Sequence, residues 1–473
     1  MSALPACTKI LRGTKRPWPA KVAGIALLAG TLSACNLEVF DPDIITPEDV
    51  SDPASLPIAI AGVVGDFQLM YDGYARNTGM LVDEFILAGT FPGRAQIDRR
   101  EMQFDIATLT GFYESIHVAR FSADNLLQAA QSLAEDPDAD QALVSQAIAV
   151  GQFYGGYVRL LLAEMYCQSI LGGGDETNPN YESSPKGPDE RMQDALTMLQ
   201  AAEASATAFG DVDLADAAKI GQARANMWLG NYAAAASAVA SVSTGFEFVA
   251  EFSSNDLSQY NDVYMFTYGD VAGIRWTVGD GTQPERNFEQ FPFYDEFTDA
   301  GLLLPDPPSN FTAFNASILV HLQMIYPAAL APGVPQSPPT ANGQSAPMVI
   351  ASGFEARVME AEAAYRGGDV AGAEATINGL LTTGANPHGA VFAPVDLTGD
   401  FDSDIALIGY AYEAGAWLTG HRMGFVRRVL RNDNVDLFPP TQPGLDTAFP
   451  VVKQELDNNP DINLACPSGP PWS

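Results

Sequence analysis

Cys35 carries the plainest chemistry in this chain. It closes the run Leu32-Ser33-Ala34-Cys35. Ahead of it lie Lys9, Arg12, Lys15, Arg16 and Lys21, with no acidic residue, and then the apolar stretch Val22-Ala23-Gly24-Ile25-Ala26-Leu27-Leu28-Ala29-Gly30. A basic start, an apolar middle and small residues before a cut site form a secretory signal. The apolar stretch is shorter than the roughly 20 residues that a membrane-spanning helix needs. Leu-Ser-Ala-Cys in this position is a lipobox: the thiol takes a diacylglycerol and the chain is cut just before it. The reading removes residues 1–34 and leaves an acylated Cys35, carrying palmitate-like chains, at the mature terminus. Several acyl chains on one residue anchor stably where a single chain binds marginally. The alternative is an ordinary secretory signal with a chance cysteine.

The chain has four cysteines. Cys7 leaves with the signal and Cys35 takes lipid, so Cys167 and Cys466 remain as an even pair in an oxidising compartment. A Cys167–Cys466 disulfide would pin the C-terminal tail to the middle of the chain. Two separate thiols are the alternative.

Two stretches combine aromatic rings with hydrogen-bonding side chains. One is Tyr71-Asp72-Gly73-Tyr74-Ala75-Arg76-Asn77; the other holds Trp276, Asp280, Gln283, Arg286 and Asn287 and runs into Phe291, Phe293 and Tyr294. Such a mixture suits a sugar, whose apolar face stacks on a ring while carboxylates, amides and guanidinium groups take its hydroxyls. The candidate ligand-binding residues are Tyr74, Arg76, Asn77, Trp276, Asp280, Gln283 and Arg286. Core packing is the competing role for each aromatic, and Tyr71 lies on an apolar helix face. Arg94, Arg99 and Arg100 form a basic cluster that should pair with nearby acids.

Signatures of catalysis are missing. The sequence has no Gly-x-Ser-x-Gly elbow, no His-Glu-x-x-His helix and no phosphate loop. His117, His321, His388 and His421 stand in unrelated contexts and read as core or surface residues. The runs Asp136-Pro137-Asp138-Ala139-Asp140 and Asp400-Phe401-Asp402-Ser403-Asp404 lack the glycine and glutamate of an EF-hand loop. Helix capping accounts for both, with a calcium site of another kind as the alternative. No catalytic residue, metal site or cofactor is expected, and the chain does not read as an enzyme.

The 473 residues hold 58 acidic and 24 basic side chains, a formal charge of −34. That balance excludes nucleic-acid binding through a basic field and repels anionic lipid. A hydrophobic share of 47% supports a globular chain.

Periodicity places the candidate residues on a mostly helical scaffold. Residues 35–52 read as an extended tether rich in Asp and Pro, and residues 53–473 as a single domain. Three-to-four spacing of apolar residues predicts helices over 53–75, 111–133, 140–171, 189–208, 213–229 and 231–242, with a loop over 76–105. The run from Ala223 to Ala235 repeats in that from Ala361 to Ala373: a helix, then Gly230-Asn231 or Gly368-Asp369, then an Ala-rich helix. This is the turn chemistry of tetratricopeptide hairpins. Irregular repeats are expected over about 109–242 and 353–430. Between them, about 245–350 reads as a loop-rich insertion, with proline concentrated at Pro332–Pro347 and short strands at 246–249 and 273–278. Loops on a rigid scaffold commonly carry recognition.

The C-terminal third contains Tyr412-Glu413-Ala414-Gly415-Ala416-Trp417-Leu418-Thr419-Gly420-His421-Arg422-Met423-Gly424-Phe425-Val426-Arg427-Arg428, followed by Phe438-Pro439, Phe449-Pro450, Glu455 and Asn458-Asn459-Pro460. This run resembles the SusD/RagB family of outer-membrane nutrient-binding lipoproteins. Glu413, Gly420, Arg422 and Arg428 fit the family pattern. Thr419 stands where the family usually has Glu, and Phe425 where it usually has Asp, which weakens the local ion-pair network. The lipobox, the long helix, the irregular repeats and the loop-rich middle follow in the family's order over the whole mature chain. Arg422, Arg427 and Arg428 read as scaffold residues that hold carbonyls and carboxylates near a helix end.

The resemblance implies a non-catalytic lipoprotein, anchored in the outer membrane and facing outward, that captures a nutrient, commonly a glycan. Its partner would be a TonB-dependent transporter of the SusC type. Glu38, Asp41 and Asp43, just past the lipid site, resemble surface-export signals. The alternative is a secreted helical-repeat scaffold that binds a protein or peptide. Cys35→Ser should leave an unlipidated precursor and move the protein out of the membrane fraction; equal sedimentation of mutant and wild type with outer membranes would contradict the lipobox.

Overall fold

Glycine followed by asparagine or aspartate ends a helix sharply, and the two sequence repeats use it identically. Gly230 and Gly368 both take positive φ, 76° and 92°. The backbone bonds match one for one. Gly230 N donates to Met227 O and Asn231 N to Asn226 O; Gly368 N donates to Tyr365 O and Asp369 N to Ala364 O. Only the second repeat adds a side-chain cap, with Asp369 Oδ1 accepting from Gly372 N at 2.9 Å.

The structure is a computed structural model that describes residues 53–82, 84, 91–172, 182, 184–263, 345–383, 394–416, 419–438, 444–459 and 461–462. The chain divides into Met1–Thr46 and Pro47–Ser473, and every described residue belongs to the second unit. The signal, the tether, Cys35, Cys466, the expected strand 273–278, Trp276, Asp280, Gln283 and Arg286 lie outside the described residues, as do His321 and His388.

The described elements are α1 (Leu56–Leu81), α2 (Pro92–Asp98), α3 (Ala107–Leu133), α4 (Gln141–Met165), α5 (Pro188–Phe209), α6 (Val212–Trp228), α7 (Tyr232–Val239), β1 (Glu247–Ala250), β2 (Met348–Ser352), α8 (Gly353–Arg366), α9 (Val370–Thr382), α10 (Phe401–Ala416), α11 (His421–Asp433) and α12 (Lys453–Asn458). The protein is mostly α, a helical-repeat scaffold. Each of α3 to α9 packs on its neighbour in sequence, α7 meeting α8 across the insertion, while α10 and α11 fold back onto α8, α4 and α1. Small residues set the spacing. A Cβ on Gly156 of α4 would lie 3.0 Å from Leu199 Cγ, and one on Gly221 of α6 would lie 2.9 Å from Leu199 Cδ1. Leu199 of α5 therefore wedges into both neighbours through positions that only glycine leaves open.

Three expectations need correction. The helix over 53–75 continues to Leu81. The expected loop over 76–105 contains α2, which starts at Pro92, where a missing N–H is harmless. The helix expected to reach residue 171 stops at Met165, because Tyr166 turns extended and bridges to Phe449, whose N donates to Met165 O at 2.9 Å. The acidic runs cap helices: Asp140 Oδ1 accepts from Ala142 N and Leu143 N, and Asp400 Oδ1 from Ser403 N. Pro53–Leu81 is apolar and long enough to cross a bilayer by composition. Here α1 packs as a core helix, with Phe67, Met70, Tyr71 and Tyr74 fully buried.

Candidate functional site

A two-stranded ribbon ties the insertion to the scaffold at both ends. β1 and β2 pair antiparallel, Phe248 with Ala351 and Val249 with Val349. Ile350 is the extra residue between those pairs, a bulge that bends the strand. The bend turns carbonyls inward: Tyr157 donates to Ile350 O at 2.6 Å and Tyr71 to Val349 O at 3.1 Å. Further out, Asn261 Nδ2 donates to Ala346 O at 2.8 Å, joining the two flanks of residues 264–344. Asp72 of α1 accepts from Asp262 N at 2.8 Å and Val263 N at 3.3 Å. Arg76, one turn on, pairs with Asp262.

This base carries an open aromatic surface. Phe91, at the start of α2, is 48% exposed. The Arg94 guanidinium lies 5.2 Å from its ring centroid. Burial and nearby Arg76 push Arg94 down to about 10, against the pull of Asp262. Burial and Asp262 push the Asp72 carboxyl well up, against Arg76 and the two amides. A flat ring, two guanidinium groups and carboxylates thus share the place where residues 264–344 join the scaffold. Nothing local marks Phe91 in the sequence, because Arg94, which lies over its ring, is tied to Arg76 and Asp262 from distant parts of the chain.

Of the sequence candidates, Arg76 belongs to this base. Tyr74 does not face a ligand: it is fully buried, with its hydroxyl 3.0 Å from Gly420 O and 3.2 Å from Glu164 Oε2. Asn77 is also fully buried, and among the described residues neither atom of its amide finds a partner. Arg99 pairs with Glu101 at 3.4 Å, and Arg100 donates to Asp446 O at 2.9 Å. Cys167 is disulfide-bonded, and the other three cysteines lie outside the described residues.

Beneath the base, charges are buried and matched. Arg224 of α6 donates to Glu164 of α4 at 2.7 and 2.9 Å and to Tyr157 at 3.1 Å. Burial opposes the Arg224 charge, but Glu164, Tyr157 and Glu355 outweigh it and raise its pKa. Glu362 of α8 accepts from Arg428 at 2.6 and 2.7 Å, from Arg366 at 2.8 Å and from Tyr412 at 3.0 Å. Burial alone would raise the Glu362 carboxyl; Arg428 and Arg366 hold it below the usual range. Two glycines let α11 approach these groups. A Cβ on Gly420 (φ 83°) would meet Tyr74 Cε1 at 2.4 Å, and one on Gly424 would meet Glu164 Oε1 at 2.4 Å.

The C-terminal run is scaffold. Arg427 donates to Glu164 O at 2.6 Å and Ala163 O at 3.3 Å, closing the end of α4. Arg422 pairs with Glu413 and donates to Val82 O at 3.1 Å, at the end of α1. Phe425 fills the space over Gly409, with its ring 4.9 Å from that of Tyr412 and 5.2 Å from the Arg428 guanidinium.

No family model matches the chain, and no curated protein matches it. Solved structures do. A SusD superfamily protein from Bacteroides thetaiotaomicron superposes with a TM-score of 0.57 at 13% identity, covering 86% of this chain and 99% of that one. A laminarin-binding SusD-like protein gives 0.56 at 14% identity, over 85% and 97%. Surface glycan-binding protein A from Bacteroides uniformis gives 0.55 at 12% identity, over 87% and 98%. The chain has the SusD-like fold.

The clamp at Asp72 can be tested directly. Asp72→Ala removes the buried acceptor of both amides, a loss of about 1–3 kcal/mol. Amide hydrogen exchange at Asp262 and Val263 should accelerate roughly ten- to a hundredfold. Unchanged exchange at both amides would contradict the clamp.

Proposed function

We propose that the mature chain is a non-catalytic, lipid-anchored glycan-binding protein on the outer face of the outer membrane, a SusD-like lipoprotein that serves a SusC-like TonB-dependent transporter. The observation that carries the reading is the likeness of fold over nearly the whole length of proteins named for laminarin binding and for surface glycan binding. The lipobox at Cys35 supports the anchor, and the acidic residues after it, which resemble surface-export signals, support the outward orientation.

The ligand surface lies at the base of the insertion. Phe91 offers a face for a sugar ring, while Arg76 and Arg94 offer donors at its edge. Trp276, Asp280, Gln283 and Arg286 supply the rest from the segment anchored there. Aromatic stacking with edge hydrogen bonds needs no nucleophile, base or metal. Cys167 is disulfide-bonded. With Cys7 removed and Cys35 acylated, Cys466 is left as its partner, tying the C-terminal tail to the residues just after α4.

Calorimetric titration with β-glucan oligosaccharides tests the site. Phe91→Ala and Trp276→Ala should each weaken binding by about 1–3 kcal/mol and leave thermal unfolding nearly unchanged, as for exposed hot-spot aromatics. Binding left intact in both variants would contradict the assignment. If Trp276→Ala instead removes about 3–5 kcal/mol of stability, that residue belongs to the core.

A further inference from the structure

We propose that Glu355 is a protonated carboxylic acid in the folded protein and shares its proton with a neutral His421, forming a buried carboxyl–imidazole proton site at the joint between α8 and α11.

The geometry points to this from the imidazole side. Tyr71 donates its hydroxyl hydrogen to Val349 O, so its oxygen presents a lone pair to His421 Nε2, 2.9 Å away. The Ile350 backbone also bonds the ring. With Tyr71 as the acceptor, the hydrogen sits on Nε2, which leaves Nδ1 as a bare acceptor. Nδ1 lies 3.4 Å from Glu355 Oε2. Both residues are only 4% exposed at the side chain, and neither atom has a hydrogen-bond partner among the described residues. Two lone pairs facing each other away from water are satisfied by a proton between them.

The surrounding charges favour the neutral acid. On α6, Arg224 is already committed to Glu164 and Tyr157, and its Nε stands 3.7 Å from Glu355 Oε1. On α4, Glu164 adds a like charge. On α1 and α4, burial keeps Tyr71, Tyr74 and Tyr157 protonated. Across a cavity of about 30 Å³, Arg428 and Tyr412 line the far side, and both are taken up behind it by Glu362. An ionised Glu355 would therefore be a buried carboxylate whose cation, Arg224, is already shared with Glu164 at closer range. Burial pushes it up to about 7, with Glu164 adding to the rise and Arg224 opposing it. Burial and Arg224 hold His421 well below its ordinary range.

Thermal stability is nearly blind to this site. A raised carboxyl contributes stability that is lost as pH rises through its folded pKa, and a depressed imidazole contributes stability that is lost as pH falls below its unfolded pKa. Between 4.5 and 6.5, the ordinary values of the two groups, folded and unfolded pairs each hold one proton, and the slopes cancel. Spectroscopy reads the site instead. At about pH 6, the infrared spectrum of wild type with carbonyl-labelled glutamate should contain a protonated-carboxyl band that Glu355→Gln lacks. The band should fade on raising the pH by about two units. Nitrogen NMR of wild type should show His421 neutral, with its hydrogen on Nε2. That NMR result stands on its own if Glu355→Gln fails to fold. An imidazolium at His421, or the absence of any protonated glutamate band, overturns the proposal. In the second case, a bare Nδ1 would mean that a cavity water bridges it to an ionised carboxylate.

Discussion

The ion pair between Glu164 and Arg224 is the constraint on which the rest of this structure depends. Its two members lie on α4 and α6; Tyr74 of α1 donates to Glu164, Glu355 of α8 lies beside Arg224, and α11 packs against the carboxylate at Gly424. A buried charge without its partner destabilises a fold by several kcal/mol, whereas a matched pair is close to neutral. The pair therefore adds little net stability and imposes register: helices far apart in sequence must meet with both charges in place. Gly424 exists at that point because any side chain would enter the Glu164 carboxylate. Gly420 does the same for Tyr74.

The same cluster links the scaffold to the base of the insertion. Tyr74 reaches Glu164 from α1, and Asp72 and Arg76 of the same helix hold residues 262 and 263. Tyr157 reaches Arg224 on one side and the bulged carbonyl of Ile350 on the other. Both flanks of the insertion are thus fastened to helices whose positions the buried charges fix. The recognition surface proposed for this base has anchors that are already ordered, which lowers the entropy lost on binding.

Much of the scaffold was legible in the sequence. Apolar periodicity located most helices to within a few residues, and Gly-Asn and Gly-Asp marked the two hairpins because a positive φ after an apolar helix has few other uses. The arginines of the C-terminal run were rightly read as scaffold. Tyr74 was misplaced because a Tyr beside Asp, Arg and Asn looks the same whether it faces a sugar or a buried glutamate. The pairing itself was illegible: with 58 acidic residues, nothing local distinguishes Glu164, Glu355 or Glu362. The end of α4 was missed for a related reason, since the strand-like bridge from Tyr166 to Phe449 spans most of the C-terminal half.

A double-mutant cycle on Glu164 and Arg224 tests the central claim most directly. Glu164→Leu and Arg224→Met, measured singly by denaturant unfolding, should each destabilise by about 3–5 kcal/mol, because each leaves a buried charge alone. The double variant should lose far less than the sum, with a coupling of several kcal/mol recovered when both charges go together. Additive losses, or single variants within about 0.5 kcal/mol of wild type, would contradict the account.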